Sequence, residues 1–101
     1  MPAYNVEEFI TDSINSILSQ SYTKFELLIS DDASVDNTLN IAVFLSKKDK
    51  RIKVFSQVQN LGFVGNKNFL LSKAKGSYIA WQDSDDISFP DRLKLQLEAM
   101  N

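Results

Sequence analysis

A chain of 101 residues, 44% of them hydrophobic, with eleven Lys or Arg against thirteen Asp or Glu, can build one core and has no basic block to follow a nucleic-acid backbone. It contains neither cysteine nor histidine, which excludes disulfides, thiolate chemistry, Cys/His zinc sites and imidazole bases, and leaves any chemistry to carboxylates, hydroxyls, amides, Lys and Arg. No apolar run approaches the roughly 20 residues of a membrane span and the N-terminus lacks a signal pattern, so a cytoplasmic setting is expected.

The periodicity alternates between helix and strand with no repeat, linker or low-complexity stretch, which places the chain in the α/β class. Asn5, with Glu8 three residues on, reads as a helix start, and Ile10, Ile14, Ile17 and Leu18 recur at helical spacing up to about Ser19. Residues 25–30 are an apolar run too short for a helix and are stopped by two aspartates, the pattern of a buried parallel strand. Asp36 can cap a second helix that turns Leu39, Ala42 and Val43 inward and ends near Lys47 and Lys48, whose charges suit the negative pole of the helix dipole. Residues 52–57 read as the second strand.

Residues 60–66, with Gly62 and Gly65, read as a glycine-punctuated loop, after which Leu70, Leu71 and Ala74 define a third helix closing at Gly76. Residues 78–82 are the third clear strand, and the acidic run Asp83, Ser84, Asp85, Asp86 follows directly. Ser88 and Asp91 match a capping box with Pro90 in the first turn, and Leu93, Leu97 and Met100 share one side of the last helix.

Strands joined by helices run parallel with right-handed connections, so their C-terminal ends share one sheet edge, where ligands bind. Three polar groups fall there: Tyr4 with Asn5, Asp31 with Asp32, and residues 83–86. Carboxylates held together repel, and a hard divalent cation relieves this, so Mg²⁺ or Mn²⁺ is the expected cofactor. Such a cation typically takes one or two protein carboxylates and completes its shell with water and phosphate oxygens, which implies a phosphorylated ligand. Read alone, residues 83–86 more often make a solvated turn with helix caps, Asp31 and Asp32 an Asx turn, and Tyr4 a half-buried aromatic. Their coincidence on one edge is what favours a site.

Five blocks resemble, in order and spacing, the nucleotide-binding half of the family 2 glycosyltransferases: Pro2-Ala-Tyr-Asn5; Ser16-Ile-Leu-Ser-Gln20; Phe25-Glu-Leu-Leu-Ile-Ser-Asp-Asp-Ala-Ser34; Asn60-Leu-Gly62; and Gly76-Ser-Tyr-Ile-Ala-Trp-Gln-Asp-Ser-Asp-Asp-Ile87 with Pro90-Asp-Arg-Leu93. The resemblance covers essentially the whole chain. It implies a Rossmann-like GT-A fold, a mostly parallel sheet flanked by helices, with residues 1–101 as a single partial nucleotide-sugar-binding domain. It also implies a parent enzyme that moves a hexose from a nucleoside diphosphate sugar, UDP-linked, to an acceptor hydroxyl by a metal-dependent inverting displacement, in the setting of cell-surface polysaccharide biosynthesis.

Residue by residue, the resemblance implies that Tyr4 packs on the base, Asp32 hydrogen-bonds it, and Asp31 supports that loop. The family's D-x-D element falls on Asp83, Ser84 and Asp85, with Asp85 the expected metal ligand and Asp83 reaching the ribose or the metal's waters. Asp86 is assigned a structural role. Lys67 stands where many members carry Arg; it either keeps a point charge for the diphosphate or belongs to a solvated helix face.

Two departures stand out. The family's first strand precedes Pro2 and is largely missing, so a fragment is expected, with exposed sheet edges that invite partner pairing or a homodimer. The chain also ends at Asn101, before the acceptor-binding half, so the catalytic base is expected beyond it, the 101 residues alone are expected to be inactive, and membrane association of the parent stays open. Two alternatives stay open: a non-catalytic nucleotide-sugar-binding or interaction domain, and a receiver-like Mg²⁺-binding signalling domain, which would need a lone phosphoacceptor Asp and a distal strand-end Lys.

Overall fold

In a computed structural model that describes residues 1–100, the elements follow in the order β1 (Pro2–Ala3), α1 (Ile10–Leu18), β2 (Leu27–Asp31), α2 (Thr38–Ser46), β3 (Ile52–Ser56), α3 (Gly62–Lys73) and α4 (Arg92–Met100). The three strands form one parallel sheet in the order β1-β2-β3, with Ala3 opposite Asp31 and Asp31 opposite Ser56. The α/β class is therefore as expected, and all three strands deliver their C-terminal ends to one edge. None of the described helices is long and apolar enough to cross a membrane.

The core follows from the sequence spacing. Ile10, Ile14 and Ile17 of α1 line up one turn apart and are buried with Ala3, Leu27, Ile29, Ala42 and Ile52. Leu27 and Ile29 sit two residues apart on a strand, so both turn to the same face of the sheet. Each of these isoleucines contributes roughly 1.5–3 kcal/mol by leaving water. Helix α3 packs against β1 and β2, where the buried Asn66 donates from Nδ2 to the Ser30 carbonyl at 2.9 Å.

Four expectations are corrected. Helix α1 begins at Ile10 rather than after Asn5, because Asn5 takes a left-handed φ of 51° and spends its side chain elsewhere, accepting from the Val35 N–H at 2.9 Å. Helix α3 begins at Gly62, so most of residues 60–66 is helical; Gly62, at φ 79°, is the one glycine whose backbone needs the left-handed region. Residues 78–82 join no strand ladder. The neighbour they would need is β1, which is two residues long and starts with a proline that has no N–H to give. Ser88 does not cap α4: its hydroxyl donates to Gln82, and the Leu93 N–H near the start of that helix is accepted by Gln20 Oε1 at 3.0 Å.

The amino group of Met1 lies in the ladder position that a backbone amide would take, donating to the Leu28 carbonyl at 2.8 Å. Asp36 is held below the ordinary carboxylate range by hydrogen bonds from Thr38, and Asp49 by hydrogen bonds from Arg51.

Candidate functional site

The loops that leave β1 and β2 are laced together at the C-terminal edge. The Asn5 N–H donates to Ser34 Oγ at 2.9 Å while Asn5 Oδ1 accepts from Val35, and the Val6 N–H donates to Thr38 Oγ1 at 2.8 Å. The N-cap position of α2 is Asn37, one residue later than expected, and Asp36 from just before it accepts the Thr38 N–H at 2.9 Å through Oδ1. These bonds place Tyr4, about half exposed, beside the end of β2.

Asp31 and Asp32 are both buried. Asp31 Oδ2 accepts from the Ser34 N–H at 3.1 Å, the Asx turn, and Ala33 turns the chain at φ 61°. Asp32 does something different. Its Oδ1 accepts from the Leu61 N–H at 2.6 Å and its Oδ2 from the Gly62 N–H at 3.0 Å, so this carboxylate anchors the N-terminus of α3, where the helix dipole favours negative charge. Each oxygen keeps a second lone pair, and Asp32 still lines the cleft described next.

A cleft of about 470 Å³ opens between these loops and the acidic run, lined by Tyr4, Asp32, Asn60, Asn66, Asp83 and Asp85 among others. It unites the three groups that fall at the expected edge. Asn66 is 2% exposed, and its Oδ1 has no hydrogen-bond partner while its Nδ2 is committed to Ser30. A buried acceptor left open beside a cleft calls for a donor. Sequence periodicity did not single it out, because a lone Asn in a helical run resembles a solvated position.

The carboxylates of Asp83, Asp85 and Asp86 are exposed, with one oxygen of each lying within 4.8 Å of the others. Asp86, assigned a structural role from sequence, thus joins the group. Three oxygen donors facing water, with no nitrogen or sulfur ligand nearby, fit a hard divalent cation. Lys67 is half-buried beside the cleft without lining it, its Nζ 4.6 Å from the Trp81 ring centre and 5.0 Å from that of Phe63. A second, apolar groove of about 420 Å³ runs beside Met1, Leu28, Leu71, Trp81 and Leu97, away from these charges.

The sequence matches the model of "Glycosyl transferase family 2" over residues 1–101. The chain belongs to that family. A Haemophilus influenzae protein described as an uncharacterized glycosyltransferase is 42% identical over 100 residues, which are 99% of this chain and 40% of that protein. The Escherichia coli UDP-Glc:alpha-D-GlcNAc-diphosphoundecaprenol beta-1,3-glucosyltransferase WfgD is 42% identical over 99% of this chain and 39% of its own length. Among solved structures, Staphylococcus aureus TarS 1–349 in complex with UDP superposes with a TM-score of 0.86 at 35% identity, over 96% of this chain and 29% of that one. The family 2 chain therefore spans about two fifths of the curated relatives named here, and its fold is of the GT-A type. Family membership sets aside the receiver-like alternative.

Proposed function

We propose that this family 2 chain is the donor site of a glycosyltransferase that takes a UDP-linked sugar with a divalent cation and passes the sugar to an acceptor hydroxyl with inversion. The observation that carries the reading is the single cleft that holds an aromatic face and a buried carboxylate at Tyr4 and Asp32, an open buried acceptor at Asn66, and the acidic group at Asp83 and Asp85. WfgD is named for a UDP-sugar and TarS was solved with UDP, which supports a uridine nucleotide.

Tyr4 stacks on the base, a contact worth about 1–3 kcal/mol in nucleic-acid systems, and Asp32 accepts a base N–H through a lone pair left over from its bonds to α3. Asp83 faces the ribose side. Asp85 and Asp83 hold Mg²⁺ or Mn²⁺, which when bound neutralises charge on the departing diphosphate. Lys67 adds a positive charge from its place over Trp81 and Phe63.

Calorimetric titration with UDP in the presence and absence of Mn²⁺ tests the reading. UDP is expected to bind about tenfold or more tightly with the cation, and equal affinities would show that the acidic group takes no part.

A further inference from the structure

Gln82, the residue immediately before the acidic run, is buried, and both ends of its side-chain amide are fully used. Nε2 donates to the Asp86 carbonyl at 2.7 Å and to Ser13 Oγ at 3.3 Å. Oε1 accepts from Ser88 Oγ at 2.5 Å and from Arg92 Nη1 at 2.6 Å. Ser13, on the buried face of α1, passes the connection on by donating to the Asp83 carbonyl at 3.1 Å. The arrangement admits one orientation only, since turning the amide over would set its NH₂ against the guanidinium and its oxygen against the Asp86 carbonyl.

Both ends of residues 83–86 are thereby tied to one amide, the far end directly and the near end through a hydroxyl. The amide is in turn held by Arg92, which also donates to the Trp81 carbonyl at 2.5 Å. None of these bonds uses a carboxylate oxygen of Asp83, Asp85 or Asp86, so the clamp acts on the main chain and leaves the acidic side chains open. Three exposed carboxylates this close repel one another and would spread a free loop.

We infer that Gln82 is a positioning residue which, by clamping the main chain at Asp83 and Asp86, holds the three carboxylates at cation-binding spacing and so sets the divalent-cation affinity of the donor site. The inference rests on the donor-site reading above. Holding ligands in place from behind is worth about 10–100-fold in metal affinity where it has been tested by substitution.

The test is a titration of the protein with Mn²⁺ alone, with free ion counted by electron paramagnetic resonance, alongside UDP binding without metal. Gln82→Met keeps the length of the side chain and removes its donors and acceptors. It is expected to raise the half-saturating Mn²⁺ concentration about tenfold and to weaken metal-free UDP binding by no more than about twofold, because Tyr4 and Asp32 stay in place. Ser13→Ala, a substitution that a helix accepts readily, cuts only the arm to Asp83 and is expected to give a smaller rise. It decides the matter if the Met variant does not fold. Variants that bind Mn²⁺ like the wild type overturn the clamp and leave the donor-site reading standing. A wild-type protein whose UDP affinity does not respond to Mn²⁺ overturns both.

Discussion

Replacing Asp85 with alanine is expected to abolish the Mn²⁺-dependent part of UDP binding, raising the half-saturating cation concentration about 100-fold, while the fold loses no more than about 0.5 kcal/mol. The two effects separate because of where Asp85 sits. It is exposed, and among the described residues its carboxylate takes no hydrogen bond, so no protein group is orphaned when it goes. Two like charges also lose a repulsive neighbour, which offsets any small loss of turn stability. A cation that relies on two protein carboxylates, by contrast, loses one of its direct ligands. Calorimetry with and without Mn²⁺ gives the first quantity and thermal unfolding gives the second. A variant that binds metal and UDP as the wild type does would move the ligand role to Asp83 and Asp86.

The sheet edge was legible because parallel strands and their crossovers leave little choice. A short apolar run that ends in Asp31 and Asp32, and a β1 that ends before Tyr4, must deliver those residues to the same side. Family resemblance then placed the whole chain, and the family match bears that out. What the sequence concealed were features that depend on partners distant along the chain. Asn5 reads as a helix cap from its neighbours alone, and only the position of Ser34 and Val35 shows why it bonds across to another loop instead. Residues 78–82 have the composition of a strand, but a ladder needs a partner edge, and the two residues of β1 supply too little of one.

The polar residues of greatest structural consequence were hidden for a related reason. Gln82 sits in an apolar-looking run, Ser13 in a helix and Gln20 just past its end, positions where periodicity sees only an interruption. Their side chains bond to Asp86, Phe89 and Asp83, which lie 4, 69 and 70 residues away. Asp86 illustrates the limit from the other side: one residue past the D-x-D spacing, it looks like a cap, yet the turn in which its N–H donates to the Asp83 carbonyl at 3.1 Å carries its carboxylate back to the other two.

Asp32 is expected to give the largest loss of stability of any site residue, and its substitution separates two roles carried by one carboxylate. Asp32→Asn keeps the shape, but an amide can offer an oxygen to only one of the Leu61 and Gly62 N–H groups, and its own NH₂ then confronts the other. A buried, charge-assisted pair of bonds at a helix N-terminus is lost together with the favourable charge, at about 3 kcal/mol, or roughly 15 °C in the melting temperature of a chain this size. That loss appears without any ligand. The proposed contact with the base appears instead in selectivity. Uracil presents an N–H at the ring position where cytosine presents a bare nitrogen, so the carboxylate, which can only accept, favours UDP over CDP, whereas the NH₂ of asparagine can donate to cytosine. The UDP-to-CDP affinity ratio, measured below the melting point of the variant, is therefore expected to fall by about tenfold. Weakened folding lowers the two affinities together and leaves their ratio alone, so an unchanged ratio would confine Asp32 to anchoring α3.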